Sequence, residues 1–147
     1  MGNKEKTGPT FRPAREGLAK ILGDLEADVM EFVWGAVPVA VTARDVEDAL
    51  GELRGVQYIT LVTVLNNLWR KKLLKRKRFG RAFAYQPKIE REEYLRQISR
   101  DVFAGVVDLG PELAVSSFVD VLADIGPQEI ERLKKKLAEH SRGEKRK

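Results

Sequence analysis

The chain of 147 residues reads as a mainly α fold with a small β-wing, followed by a region of helices alone. Three observations predict this class. Apolar residues recur at three- and four-residue spacing through most of the chain. One pair of β-prone stretches, 74–79 and 82–86, flanks Gly80-Arg81, a hairpin signal. From about Glu90 onward only helical periodicity remains, punctuated by Gly110-Pro111 and Gly126-Pro127.

Residues 1–22 are rich in Gly, Pro, Lys and Arg and read as a flexible basic arm, with a short helical piece near 18–22. The first strong helix follows Gly23 as N-cap. Asp24 and Glu26 suit its first turn, Leu25, Val29, Phe32 and Val33 form its apolar stripe, and Gly35 ends it near Trp34. Residues 38–41, PVAV, form a short β-prone piece. Thr42 then caps a helix over 43–53, with Val46, Ala49, Leu50 and Leu53 predicted inward. Gly55 makes the turn into a third helix over 58–72, and the hairpin follows, with Pro87 stopping its second strand. Trp34 and Trp69 are predicted to plug the core, and Phe83 and Tyr85 to pack the hairpin on the helices. Helix, short strand, helix, helix, hairpin is the order of a winged helix-turn-helix domain.

The helices after Glu90 carry Tyr94, Ile98, Val102, Val106, Phe118, Val119, Leu122 and Leu133 on stripes too thin to close a core within one chain. A second copy would bury them, and two-fold pairing is the commonest closure. A monomeric helical cap is the alternative. The expected organisation is a basic arm (1–22), a winged helix-turn-helix domain (23–89), a helical dimerisation region (90–140) and a charged tail (141–147).

Bulk composition excludes several chemistries. The chain has no cysteine and one histidine, His140, so disulfides, thiol nucleophiles and thiolate or multi-histidine metal sites are not expected. No Gly-rich phosphate loop or paired-carboxylate motif is present. No cofactor and no catalysis are therefore expected. No apolar run is long enough to span a bilayer, and no signal-peptide core follows the N-terminus, so no membrane insertion and a cytoplasmic location are expected.

Charge is distributed unevenly. Net charge is +5, but 54–89 holds ten Lys or Arg and no Asp or Glu, while the rest of the chain holds 17 basic and 22 acidic residues. A localised cationic field is what a polyanion partner requires. A solvated charged face is the alternative, although such faces usually mix signs.

The third helix turns Leu61, Val64, Leu65 and Leu68 inward. Its other face carries Ile59, Thr60, Thr63, Asn66 and Asn67, which suit base reading: amides bond base edges, methyls meet thymine methyls, and no acid repels phosphate. Tyr58, Arg70, Lys71, Arg76, Arg78 and Arg81 are the expected phosphate contacts, with Arg78 and Arg81 flanking the hairpin tip.

The stretches LGDLEADVMEFVW, VTARDVEDAL, YITLVTVLNNLWRKKLL and RKRFGRAFAYQP followed by REEYL, taken in order, resemble the penicillinase and methicillin-resistance repressors, the BlaI/MecI family, over about residues 22–138. The resemblance implies a homodimeric repressor of transcription on an inverted-repeat operator in double-stranded DNA, with Thr60 and Thr63 where the family reads DNA. Ile59 stands where many members have Thr or Lys, and Lys72 replaces the usual helix-ending Gly. Antibiotic-resistance repressors of the family are inactivated by proteolysis before a Phe in the dimerisation region, which implies a membrane sensor-protease as partner. Here SSFVD puts Ser117-Phe118 at the matching bond, with Ser in place of Asn; Phe118 and Val119 also fit the core of a dimer helix. Copper-sensing relatives use Cys-rich tails, which this chain lacks. Rival readings of the same features are a low-specificity nucleoid-type protein, an RNA- or ribosome-associated adaptor, and a protein-interaction module.

Overall fold

The computed structural model describes Gly17 and residues 22–145, so most of the expected N-terminal arm and the last two residues of the expected tail lie outside the described residues. The chain divides into two compact units, residues 1–99 and 100–147.

The first unit opens with α1, Asp24–Ala36, capped by Gly23 and with Asp24 and Glu26 in its first turn, where the helix dipole favours anions. Ala27, Val29, Met30 and Val33 are its buried face. Of the PVAV piece only Val41 enters a strand, β1, Val41–Thr42. Thr42 then starts the next helix through a reciprocal capping box. Its Oγ1 accepts from the Asp45 N–H at 3.2 Å, and Asp45 Oδ2 accepts from the Thr42 N–H at 2.9 Å.

That helix is not uniform. It comprises α2, Ala43–Val46, a π-helical segment, Glu47–Gly51, and α3, Glu52–Arg54. The wider turn holds one extra residue, which rotates everything after it by about 100° relative to an α-helical count. Val46, ahead of the turn, is buried as predicted. Leu53, predicted inward, is 84% exposed, Ala49 is also exposed, and Gly51 is buried in their place. Gly55 ends α3 at φ 61°, with Val56 N–H donating to Gly51 O and Gly55 N–H to Glu52 O, a Schellman closure that favours glycine.

The helix α4, Tyr58–Arg70, buries Leu61, Leu65 and Leu68 completely and packs against α1 and α2. Its end repeats the Schellman pattern: Leu73 N–H donates to Leu68 O, and Lys72 N–H to Trp69 O. Lys72 occupies the left-handed position, φ 65°. The strands β2, Leu74–Phe79, and β3, Ala82–Pro87, pair antiparallel with Phe79 opposite Ala82, and Gly80 takes φ 62° in the two-residue turn. The sheet order is β1-β3-β2, with Val41 opposite Tyr85. Tyr85 and Leu74 are buried, and Phe83 is half-buried.

The helix α5, Arg91–Leu109, contributes its first turns to this unit. Tyr94 and Ile98, predicted at the dimer face, are buried here at 6% and 7% exposure. The Tyr94 ring lies 5.9 Å from the Trp34 ring, and Trp34 Nε1 donates to Ile89 O at 2.9 Å. The first unit thus extends past residue 89, where the sequence boundary was placed, because α1 supplies the aromatic wall that covers Tyr94. Burial, followed by the nearby Glu26 carboxylate, pushes the Tyr94 hydroxyl up to about 12.

The second unit holds the rest of α5 with α6, Pro111–Ile125, and α7, Pro127–Lys145, both starting on proline. Phe103 and Phe118 meet edge-to-face at 5.3 Å. The helix α7 continues through residues 141–145, which were predicted as tail. Lys, Glu and Arg are good helix formers, and Arg142 Nε donates to Ala138 O at 3.4 Å within the helix.

Candidate nucleic-acid interface

The outer face of α4 is open. Ile59 is 70% exposed, Thr60 and Thr63 are exposed, and Asn66 and Asn67 are half-buried. Gln57, at the N-cap, makes no side-chain cap, and the first turn holds no acid, so no side chain of that turn offsets the positive end of the helix. Thr63 Oγ1 donates to Ile59 O at 3.0 Å. Its hydroxyl hydrogen is thereby used, leaving a methyl group and an oxygen lone pair for a partner.

The ten basic residues do not act together. Two are neutralised by α1: Lys71 Nζ donates to Glu26 Oε2 at 2.7 Å, and Arg54 pairs with Asp28. A third, Arg76, departs from its predicted phosphate role. Strand alternation puts it opposite Tyr85, on the face of the hairpin turned to α4. There its guanidinium sits 3.6 Å from the Trp69 ring centre and 4.1 Å from that of Phe83, and its NH1 donates to Asn66 Oδ1 at 3.0 Å. The cation–π contact with Trp69, worth about 1 kcal/mol, and the charge-assisted bond to Asn66 fix the hairpin to α4, while Phe83 braces the guanidinium from within the hairpin. This arrangement also explains Trp69. Predicted to plug the core, it is 38% exposed and lies beneath Arg76.

The other seven, Arg70, Lys72, Lys75, Lys77, Arg78, Arg81 and Lys88, are exposed and make no ion pair among the described residues. Arg78 and Arg81 flank the Gly80 turn, and Arg78 lies 5.4 Å from the Phe83 ring centre. Lys75 and Lys77 point to the opposite face of the strand from Arg76 and Arg78. Tyr58, at the start of α4, is 41% exposed with the Arg44 guanidinium 5.7 Å from its ring centre.

Two features of this surface escaped the sequence reading. Arg44 neighbours Asp45, Glu47 and Asp48 in the chain, which hides its position beside the start of α4. Phe79 was assigned to a strand and no more, yet at the hairpin tip it is 72% exposed between Arg78 and Arg81.

Of the predicted dimer residues in the second unit, Val106 and Val119 are each 39% exposed, and Val102, Phe118, Leu122 and Leu133 are half-buried. Phe103, Val107, Val121 and Ile125 are exposed as well, and Ala114 alone is buried among the described residues of this unit. Ser117 is exposed, and the Ser117-Phe118 bond lies inside α6. Among the described residues no acid or histidine cluster could hold a metal ion, and no helix is long and apolar enough to cross a membrane.

The family model described as the penicillinase repressor matches residues 22–139. The transcriptional regulator BlaI of two Mycobacterium tuberculosis strains is 34% identical over 122 residues, which cover 83% of this chain and 86% of the regulator. Among solved structures, the DNA-binding domain of the repressor BlaI aligns with a TM-score of 0.44 at 26% identity, covering 54% of this chain and 94% of that domain. MepR, a transcription regulator of the Staphylococcus aureus multidrug efflux pump MepA, aligns with a TM-score of 0.39 at 16% identity, covering 82% of this chain and 78% of its own.

Proposed function

The chain belongs to the penicillinase repressor family, a family of non-enzymatic DNA-binding transcriptional regulators, and on that premise we propose that it represses transcription as a homodimer bound to an inverted-repeat operator. The observation that carries this reading is the exposed, acid-free face of α4 beside a hairpin whose Arg78 and Arg81 have no acidic partner among the described residues. Ile59, Thr60, Thr63, Asn66 and Asn67 read bases in the major groove. Tyr58, Arg70, Arg78 and Arg81 hold phosphates, which fixes register and supplies affinity without sequence information. Arg44, beside Tyr58, joins this phosphate-binding set.

The homodimer reading is supported by the apolar exposure of the second unit, where Phe103, Val106, Val107, Val119, Val121 and Ile125 are open. A partner copy would cover that surface, and two subunits would meet two half-sites related by the same two-fold axis. The protein works in the cytoplasm, where its operator is. Release by a membrane sensor-protease cutting at Ser117-Phe118 fits the exposure of Ser117, and because the bond is helical, α6 must unwind locally for cleavage.

In vitro selection of duplexes from a random pool tests the reading. The expected product is a palindromic site, bound far more tightly than random duplex. If three or four cationic side chains per subunit neutralise phosphates, log affinity of the dimer should fall against log salt with a slope of about −5 to −7. Equal affinity for random duplex would indicate a nucleoid-type protein, and a preference for structured RNA an adaptor.

A further inference from the structure

Asn66 is half-buried on α4, and its amide meets Arg76 NH1 at 3.0 Å. A guanidinium carries only donors, so the amide atom facing it must be the oxygen. Which end of this asparagine points inward is therefore fixed by chemistry. Arg76 is itself held between Trp69 of α4 and Phe83 of β3, with ring centres at 3.6 and 4.1 Å. Turning the Asn66 amide over would set N–H against N–H and forfeit a charge-assisted bond.

An unrestrained asparagine reads adenine with both ends, donating to N7 and accepting from the N6 amino group. With its oxygen turned toward the hairpin and engaged by Arg76, Asn66 turns its NH2 group outward. Cytosine N4 would face that group with a donor, and adenine N7 and thymine O4 each offer it one acceptor, whereas guanine presents two adjacent acceptors, N7 and O6, one for each amide hydrogen.

We propose that Arg76 is a positioning residue that makes Asn66 a donor-only reader, selecting guanine rather than adenine at one base pair of each half-site. The inference rests on the reading that α4 enters the major groove, and it goes beyond that reading by naming the base and the residue that enforces it.

The test is selection from a random duplex pool with the full chain and three variants. The native protein should enrich guanine at one position per half-site, and Asn66→Ala should lose that preference. Arg76→Met fills the space between the two rings but has no donor to the amide. It should let Asn66 turn and gain adenine there, moving the guanine-to-adenine ratio by roughly ten-fold. Asn66→Asp keeps an oxygen for Arg76 and replaces the outward donor with an acceptor, so guanine should give way to cytosine or adenine, the bases with a major-groove amino group. This variant retains the bond to Arg76 and remains informative if Arg76→Met weakens the fold.

Adenine at the Asn66-dependent position of the native site would overturn the inference. So would an unchanged base preference in Asn66→Asp, or in a folded Arg76→Met. An enriched site with no Asn66-dependent position would overturn this inference alone, whereas a pool that enriches no site would overturn the operator reading itself.

Discussion

Lys72 sits where the backbone tolerates a side chain least. At φ 65° it closes α4 in a position that favours glycine, and an L-residue in that region costs about 1–2 kcal/mol. Lys72→Gly removes this strain but adds freedom to the unfolded chain. It should therefore raise stability by about 0.5–1 kcal/mol, measured by urea unfolding. Tyr94 sets a second residue-scale expectation. Below pH 10 its hydroxyl is protonated in both folded and unfolded chains, so it contributes no pH dependence. Above pH 10 the unfolded ring ionises first, while the folded ring holds its proton to about 12. Stability should fall across that window, and the fall should be shallower in Tyr94→Phe, as alkaline thermal melts would show.

Among the elements, those with strong local chemistry were legible in the sequence. Thr42 and Asp45 stand at capping-box spacing, and the box forms. Thr42→Ala should cost about 1 kcal/mol, read by thermal or urea unfolding. Gly80 between β-prone stretches predicted the hairpin, and the leucine spacing of α4 predicted its buried stripe. The π-helical segment was not legible, because an α-helical count assumes 3.6 residues per turn throughout; Leu53 was misplaced for that reason alone. Arg76 was misread because strand alternation gave its face but not what that face would meet. Trp69 comes from one element and Phe83 from another, so only the fold brings their rings together around it. The hairpin tip carries its own prediction. Arg78→Ala with Arg81→Ala should weaken binding uniformly across sequences and make the salt slope shallower by about 2 per subunit, measured by fluorescence anisotropy titration.

For the molecule as a whole, the ten-residue cationic excess in the sequence overstates the field, because Glu26 and Asp28 of α1 neutralise Lys71 and Arg54, and Arg76 is spent on the joint between α4 and the hairpin. What remains is the hairpin with the end of α4, next to the face predicted to read bases. The apolar stripes after Glu90 marked helices, but Tyr94 and Ile98, predicted for the proposed dimer face, belong to the core of the first unit. Val106→Asp with Val119→Asp should shift the protein from dimer to monomer in light scattering at micromolar concentration. The central claim is that α4 and the hairpin tip together hold a DNA duplex, and amide chemical-shift mapping with a selected duplex tests it most directly. The account predicts the largest shifts at Ile59, Thr60, Thr63 and Asn66, and at Arg78 to Arg81. Shifts confined to other surfaces, with α4 unmoved at saturation, would contradict it.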